Sequence, residues 1–123
     1  MNITLRSTTL AETAALPAIE RSAGQRFLLI PELAWIADDQ TISVDEHRAF
    51  AAAGMSWLAQ VDEHPVGFLV AETLGSSLFI AELSLHLEWQ GKGIGRRLIG
   101  YVAEQARAKG YTSLTLTTFR DVP

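Results

Sequence analysis

Glycine recurs at every second position in the segment Gln90-Gly91-Lys92-Gly93-Ile94-Gly95-Arg96-Arg97. Because glycine has no Cβ, this spacing lets the backbone bend into a tight loop. The strongest helical pattern of the chain follows, and the free N–H groups of a first helical turn attract anions. The segment itself carries three cations, whereas no acidic residue occurs between Glu88 and Glu104. It therefore predicts a phosphate-binding loop; the alternative is a tight turn beside a solvated basic face.

A helix over residues 94–109 is predicted directly after this loop. Its apolar stripe has the spacing of one buried helical face and consists of Ile94, Leu98, Tyr101, Val102, Gln105 and Ala106. Gly110 stands where the helix is expected to end. Strand-like segments at 78–87 and 111–119 flank the loop and the helix. Together they predict a β-α-β unit, which implies a parallel strand pair.

The segments before this unit alternate between strand and helix patterns. A strand is predicted at 2–6, followed by a helix at 10–23 that begins after the N-cap Thr9 and ends at Gly24. Pro17 is expected to kink or restart this helix. A second helix begins at Asp45-Glu46 and ends at Gly54, and strands 56–61 and 66–73 form an antiparallel hairpin. The predicted fold class is α/β, with a mixed sheet in which an antiparallel meander precedes the parallel β-α-β unit.

Composition excludes several classes of protein. The chain of 123 residues is 48% hydrophobic and 20% charged, which fits one globular domain over 1–123. It has no cysteine, so disulfides and thiolate catalysis are ruled out. Its three histidines lack the His-x-x-x-His spacing of a helical zinc site, and no metal is expected. No apolar run approaches the ~20 residues that span a bilayer, and the start of the chain lacks the apolar core of a signal peptide. A cytoplasmic protein without a membrane partner is expected.

Charge is divided unevenly along the chain. Residues 1–89 hold four basic and twelve acidic side chains, whereas residues 90–123 hold six basic and two acidic ones. An acidic body is a poor partner for a nucleic-acid backbone, so no nucleic acid is expected as a ligand. The basic last third suits an anionic group bound at one place.

The glycine segment does not match the common nucleotide-binding motifs. The dinucleotide motif needs a third glycine where Arg96 stands, and the P-loop needs Ser or Thr after its Gly-Lys pair. The segment resembles instead the signature Gln/Arg-x-x-Gly-x-Gly/Ala of the GNAT superfamily of N-acetyltransferases, which Gln90 to Gly95 match in full. Residues 82–89 are similar to the strand that leads into this loop in the family, although the family usually has proline where Leu87 stands.

The resemblance implies acetyl-CoA as the co-substrate. The pyrophosphate is then expected on the amides of the loop, and the pantetheine arm is expected to pair like an added strand with the backbone of the preceding strand. The predicted cofactor-binding residues are Leu83, Ser84, Leu85, Gln90, Gly91, Lys92, Gly93, Ile94, Gly95 and Arg96.

Strand alternation points to Glu82 as a candidate general base. In a regular strand Leu78, Ile80, Glu82, Ser84 and His86 share one face, which turns polar toward its C-terminal end, where ligands bind in α/β sheets. A bulge, which the family commonly has here, would shift this alternation. In a regular strand Glu82 and His86 are ~13 Å apart and cannot both touch one reacting atom. The alternative role for Glu82 is an ion pair with arginine, and for His86 a turn or rim position.

The remaining histidine, aromatic and acidic candidates can be explained by structural roles alone. His47 and His64 are expected at the surface, and Trp57 and Phe68 in the core. Phe27 and Trp35 fall where the resemblance places the wall of the acceptor site, but core packing explains them as well. Asp38-Asp39 and Asp45-Glu46 could attract a cationic amine; a solvated loop and a helix N-terminus explain them equally well.

The resemblance implies an N-acetyltransferase in which a primary amine attacks acetyl-CoA directly. The alternative is a non-catalytic CoA-binding or interaction module of the same fold. The family normally continues past strand 111–119 with a helix and further strands, so the chain is expected to be truncated at its C-terminus. The tyrosine that often serves as general acid would lie in the missing part. The edge strand is then expected to pair with a second copy, giving a homodimer. The acceptor amine stays open.

Overall fold

The structure is a computed structural model that describes residues 2–28 and 42–116, with the backbone alone for 24–28 and 116. Five strands and three α-helices are described, together with two short 3₁₀ helices at Leu10–Ala15 and Leu87–Trp89. In chain order the main elements are β1 (Ile3–Ser7), α1 (Leu16–Leu28), α2 (Val44–Ala52), β2 (Ser56–Val61), β3 (His64–Leu74), β4 (Ser77–Leu85), α3 (Ile94–Ala108) and β5 (Ser113–Leu116).

The described strands form one mixed sheet in the order β1-β2-β3-β4-β5. The first four strands are antiparallel neighbours, and β5 pairs with β4 in parallel. The α/β class, the antiparallel meander and the closing parallel β-α-β unit are therefore confirmed. Among the described residues, none of the helices combines the length and the apolar character that crossing a membrane requires.

Two predicted element ends are wrong. The first helix does not stop at Gly24, because α1 continues to Leu28. The strand predicted to reach 87 ends at Leu85, and the chain then turns through the 3₁₀ helix Leu87–Trp89. Pro17 does restart the helix as expected, since a 3₁₀ segment ends at Ala15 and α1 begins one residue before the proline.

The core lies on both faces of the sheet. On one face α3 packs on Trp57, Leu69 and Ile80 through Leu98, Val102 and Ala106. Ile94, the first residue of α3, packs on Ala59, Val61 and Val66. On the other face Leu16 and Ile19 of α1 meet Phe68 and Val70 of β3. Neighbouring residues of β3 thus point to opposite faces, as alternation requires. Trp57 and Phe68 are buried as predicted, but on opposite sides of the sheet.

An ion pair joins β1 to the first 3₁₀ helix. The guanidinium of Arg6 contacts both carboxylate oxygens of Glu12, with Nη1 donating to Oε1 at 2.8 Å. Glu12 also accepts from the backbone N–H of Thr9, which closes the predicted N-cap. Hydrogen bonding to Arg6 is the main cause that lowers the pKa of Glu12 to about 2. The start of the helical layer is therefore tied to the sheet.

His47 lies in the core, which corrects the expectation of a surface position. Its side chain is 0% exposed and packs edge-on against Phe68, with ring centroids 4.8 Å apart. Neither ring nitrogen has a hydrogen-bond partner among the described residues. Burial lowers the pKa of His47 to about 4, although the nearby Glu46 opposes this shift. The ring is therefore neutral at pH 7.

We expect the stability of the fold to fall between pH 7 and pH 5 because of His47. The unfolded chain takes up a proton near pH 6.5, whereas the folded chain resists protonation until about pH 4. Acidification through this window therefore favours the unfolded state, by about 2 kcal/mol at pH 5. Urea unfolding at both pH values measures the effect. His47→Leu should lose most of this pH dependence and should gain stability at pH 7, because it removes buried polar atoms. An equal pH dependence in both proteins would contradict the assignment.

Candidate active site

The glycine loop adopts the conformation that its spacing predicts. Gly91 and Gly93 have φ values of 76° and 80°, in the left-handed region that only glycine enters at low cost. A Cβ at either position would meet no atom within 4 Å, so both glycines border open space. Gly93 is the N-cap of α3 and forms no side-chain cap. The N–H groups of the first turn of α3 thus begin at an open, glycine-lined loop.

Gly95 and Ile94 have structural roles beside the loop. A Cβ at Gly95 would approach Leu85 Cδ1 at 3.3 Å and Leu83 Cδ2 at 3.9 Å, so glycine here lets α3 lie close to β4. Ile94 is fully buried among Ala59, Val61 and Val66. Both contacts hold the first turn of α3 in place against the sheet.

The cations around the loop all face solvent. Lys92, Arg96 and Arg97 are exposed, as the predicted basic face requires. They surround the positive end of the α3 dipole, where an anion is stabilised. The loop and its side chains therefore form a positively charged, open surface.

Gln90 ties the loop to the end of β4. Its side-chain Nε2 donates to the Leu85 carbonyl at 3.0 Å. His86 N–H donates to the Val66 carbonyl of β3, so the alternation of a strand turns the backbone groups of Leu85 and Leu83 away from β3. Within the described residues the pairing of β4 with β5 ends at Ile80. The side of Leu83 and Leu85 that points away from β3 thus carries no strand in the described part of the chain.

A bulge at Ala81 changes the face that Glu82 occupies. Val70 pairs with Glu82 and the next residue of β3, Ala71, pairs with Ile80, so Ala81 is an extra residue in β4. Ile80 remains on the face covered by α3, whereas Glu82 lies opposite Val70 on the face covered by α1. The regular alternation, in which Leu78, Ile80, Glu82 and Ser84 share one face, is therefore wrong, and the bulge that the resemblance implies is present.

Glu82 and Ser84 form a buried hydrogen-bonded pair. Their exposed fractions are 6% and 4%. Ser84 Oγ donates to Glu82 Oε2 at 2.8 Å. Ser84 lies opposite Phe68 on the same face of the sheet. A carboxylate is thus held in the middle of β4, directly after the bulge.

The remaining predicted site residues lie elsewhere. His86 caps the 3₁₀ helix that follows β4, where its Nδ1 accepts from Glu88 N–H at 3.4 Å, so it occupies the predicted turn position. Asp45-Glu46 form the first turn of α2, and Ser43 and Glu46 bond reciprocally as a capping box. The acceptor-wall candidates, which are the side chain of Phe27 and Trp35, lie outside the described residues, as does the acidic pair Asp38-Asp39.

The sequence predicts only a backbone role for Ser84 in binding acetyl-CoA, and the contact of its hydroxyl with Glu82 is not predicted. The signal was present, because residues two apart in a strand share a face and Ser84 follows Glu82 by two.

A comparison with protein-family models decides the family. Residues 23–122 match the model described as acetyltransferase (GNAT) family. The chain belongs to the GNAT acetyltransferase family. The glycine loop, the bulged β4 and α3 all lie within the residues of this GNAT protein that match the family model.

Solved structures of other GNAT proteins share the fold at low sequence identity. PaiA N-acetyltransferase from Thermoplasma acidophilum, in complex with coenzyme A, gives a TM-score of 0.77 at 16% identity over 90% of this chain and 76% of that one. A GNAT acetyltransferase from Brucella melitensis with acetyl-CoA gives 0.68 at 18% identity over 94% and 75%. N-acetylglutamate synthase from Neisseria gonorrhoeae, with coenzyme A and N-acetylglutamate, gives 0.74 at 18% over 98% and 26%.

Proposed function

We propose that this GNAT protein transfers an acetyl group from acetyl-CoA to a primary amine by direct attack of the amine. The observation that carries the proposal is the combination of an open, cationic glycine loop with a buried carboxylate on the strand that leads into it. The first element suits a phosphate-bearing co-substrate, and the second suits removal of a proton from an ammonium group. A binding module needs the first element alone.

The described residues fit the co-substrate. Gly91 and Gly93 leave open space where a side chain would otherwise fill the loop, and Lys92 and Arg96 supply positive charge. The outward backbone of Leu83 and Leu85 offers donors and acceptors to an extended amide chain. Gln90, Ile94 and Gly95 set the loop against β4. Acetyl-CoA supplies the acetyl group as a thioester, so a C–N bond forms as the C–S bond breaks and the CoA sulfur leaves with the electron pair.

Glu82 prepares the acceptor for this exchange. An amine is protonated at neutral pH and cannot attack until its nitrogen has lost a proton. The Glu82 carboxylate accepts that proton, directly or through one water, which leaves the nitrogen lone pair available. Burial of Glu82 strengthens its attraction for a cationic acceptor.

Turnover with a panel of amines tests the proposed function. The panel contains small amines, aminoglycoside antibiotics and peptides with free amino groups, and release of the CoA thiol is followed for each. Thiol release that depends on one class of amine, with the acetylated product found by mass spectrometry, supports the transferase. Acetyl-CoA binding without release above the hydrolysis background with any amine would favour the non-catalytic CoA-binding module.

Acetyl-CoA affinity should fall with added salt and with loss of single arginines at the loop. Arg96→Ala and Arg97→Ala should each weaken binding about two- to fivefold, because exposed charge pairs are screened. Their effects should differ, since consecutive helical residues point ~100° apart. Calorimetry at low and high salt measures both effects.

Arg107→Ala is the matched control for this charge series. Arg107 is exposed on the same helix, but ~16 Å of helix separates it from Arg96, which exceeds the Debye length at physiological salt. Its loss should leave the affinity unchanged. Salt-independent binding, or an equal effect of all three substitutions, would contradict phosphate contacts at the loop.

The cytoplasmic location, the homodimer through β5 and the absence of nucleic acid among the partners stay predictions. Within the described residues β5 is the last strand of the sheet and pairs with β4 on one side. A second copy would pair with the opposite side of β5.

A further inference from the structure

Ser84 is the side chain placed to control the Glu82 carboxylate. The two residues are two apart on β4 and share a face, so their side chains leave the strand in the same direction. The Ser84 hydroxyl donates to Oε2 of Glu82 at 2.8 Å, and both side chains are more than nine-tenths buried. Water therefore competes little for this hydrogen bond.

The surroundings of Ser84 hold its hydroxyl in place. Its backbone pairs with Phe68 of β3, and Phe68 is itself fully buried against Leu16 and Ile19 on one side and His47 on another. Because the backbone of Ser84 and its neighbours are fixed, its hydroxyl orients the Glu82 carboxylate at little cost in side-chain conformational entropy. The contact thus fixes one carboxylate oxygen relative to the strand.

The hydrogen bond also favours the charged form of Glu82. Burial favours the protonated, neutral carboxyl, which cannot accept a proton. A hydroxyl that donates to the carboxylate opposes this effect, because it stabilises the anion. Ser84 therefore favours the ionised carboxylate of Glu82, which is the form that a general base needs at neutral pH.

We infer that Ser84 is a positioning residue for Glu82: its side-chain hydroxyl orients the carboxylate and keeps it ionised for removal of the acceptor's proton. The inference rests on the proposed function, since it assumes that Glu82 is the base. It gives Ser84 a side-chain role, whereas its backbone pairs with Phe68 of β3 and does not face outward as the predicted contact with acetyl-CoA requires.

The test compares the pH profiles of kcat/KM for the wild-type protein and Ser84→Ala, with an amine that the panel shows to be acetylated. In Ser84→Ala the acidic limb should move up by about one pH unit, which lowers kcat/KM about tenfold at a pH on that limb. The Kd for acetyl-CoA should be unchanged, because alanine keeps the backbone. Ser84→Thr retains a hydroxyl, and its limb should return close to that of the wild type.

Three further variants complete the test. Ser77→Ala removes a hydroxyl from the same strand, where its partner is Ser113, and should leave the limb in place. If Ser84→Ala does not fold, Ser84→Cys keeps the volume and replaces a strong donor by a weak one, so the limb should still move up. A limb that stays in place in Ser84→Ala and Ser84→Cys, yet moves to the pKa of the free amine in Glu82→Gln, overturns the role of Ser84 and leaves the proposed function standing. An acidic limb that keeps its wild-type position and activity in Glu82→Gln overturns Glu82 as the base, and the inference with it.

Discussion

Gly93→Glu should raise the Kd for acetyl-CoA by at least about 100-fold, which corresponds to a loss of about 2.7 kcal/mol of binding free energy. Gly93 has a φ of 80° and caps the helix whose first N–H groups face the loop. A glutamate there places a carboxylate among groups that favour phosphate, and it strains the left-handed backbone. Isothermal calorimetry with acetyl-CoA measures the affinity, and circular dichroism reports whether the variant is folded.

Gly75→Glu is the matched control for Gly93→Glu. Gly75 also has a positive φ, of 59°, and a Cβ there also meets no atom within 4 Å, but it lies in the turn between β3 and β4. It therefore introduces comparable strain and the same charge at the other end of β4. Gly93→Ala adds the strain without the charge and should weaken binding less than Gly93→Glu. A folded Gly93→Glu protein with wild-type affinity would refute the loop as the phosphate site.

The elements that the sequence predicts well are those with local signals. The stripe from Ile94 to Ala106 and the glycines before it lie within 16 residues, and the structure has the helix and the left-handed glycines where they are expected. The hairpin at 56–73 is marked by the turn residues Asp62 and Glu63, which both adopt positive φ. Patterns of this kind depend only on residues close in sequence, so a single sequence is enough to predict the helix or turn that they mark.

The features that the sequence does not reveal depend on contacts between distant residues. The resemblance implies a bulge in β4, but its position at Ala81 becomes visible only when β4 is aligned with β3, and it moves Glu82 to the other face. His47 follows the acidic start of a short helix and suggests a surface position, yet it is buried because Phe68, 21 positions later, packs against it. Gly24 has the local character of a helix end, but α1 continues to Leu28. Tertiary packing decides each of these cases.

Glu82→Gln should lower kcat/KM for the amine by about 100- to 10,000-fold, the range expected when a general base is lost. Glutamine has nearly the same shape and its amide oxygen still accepts from the Ser84 hydroxyl, so the strand should keep its structure. The amide does not accept the acceptor's proton. Steady-state kinetics from pH 6 to pH 10 measure the change, and the remaining activity should rise with deprotonation of the free amine instead of with ionisation of Glu82.

Two features of the Glu82→Gln profile distinguish loss of a base from a damaged fold. The deficit should shrink as the pH rises toward the pKa of the acceptor, because the amine then arrives already deprotonated. The Kd for acetyl-CoA should match that of the wild type, and Glu72→Gln, an exposed neutralisation on β3, should retain full activity. A deficit that is constant over the whole pH range, with acetyl-CoA bound normally, would show that Glu82 orients the acceptor without accepting its proton.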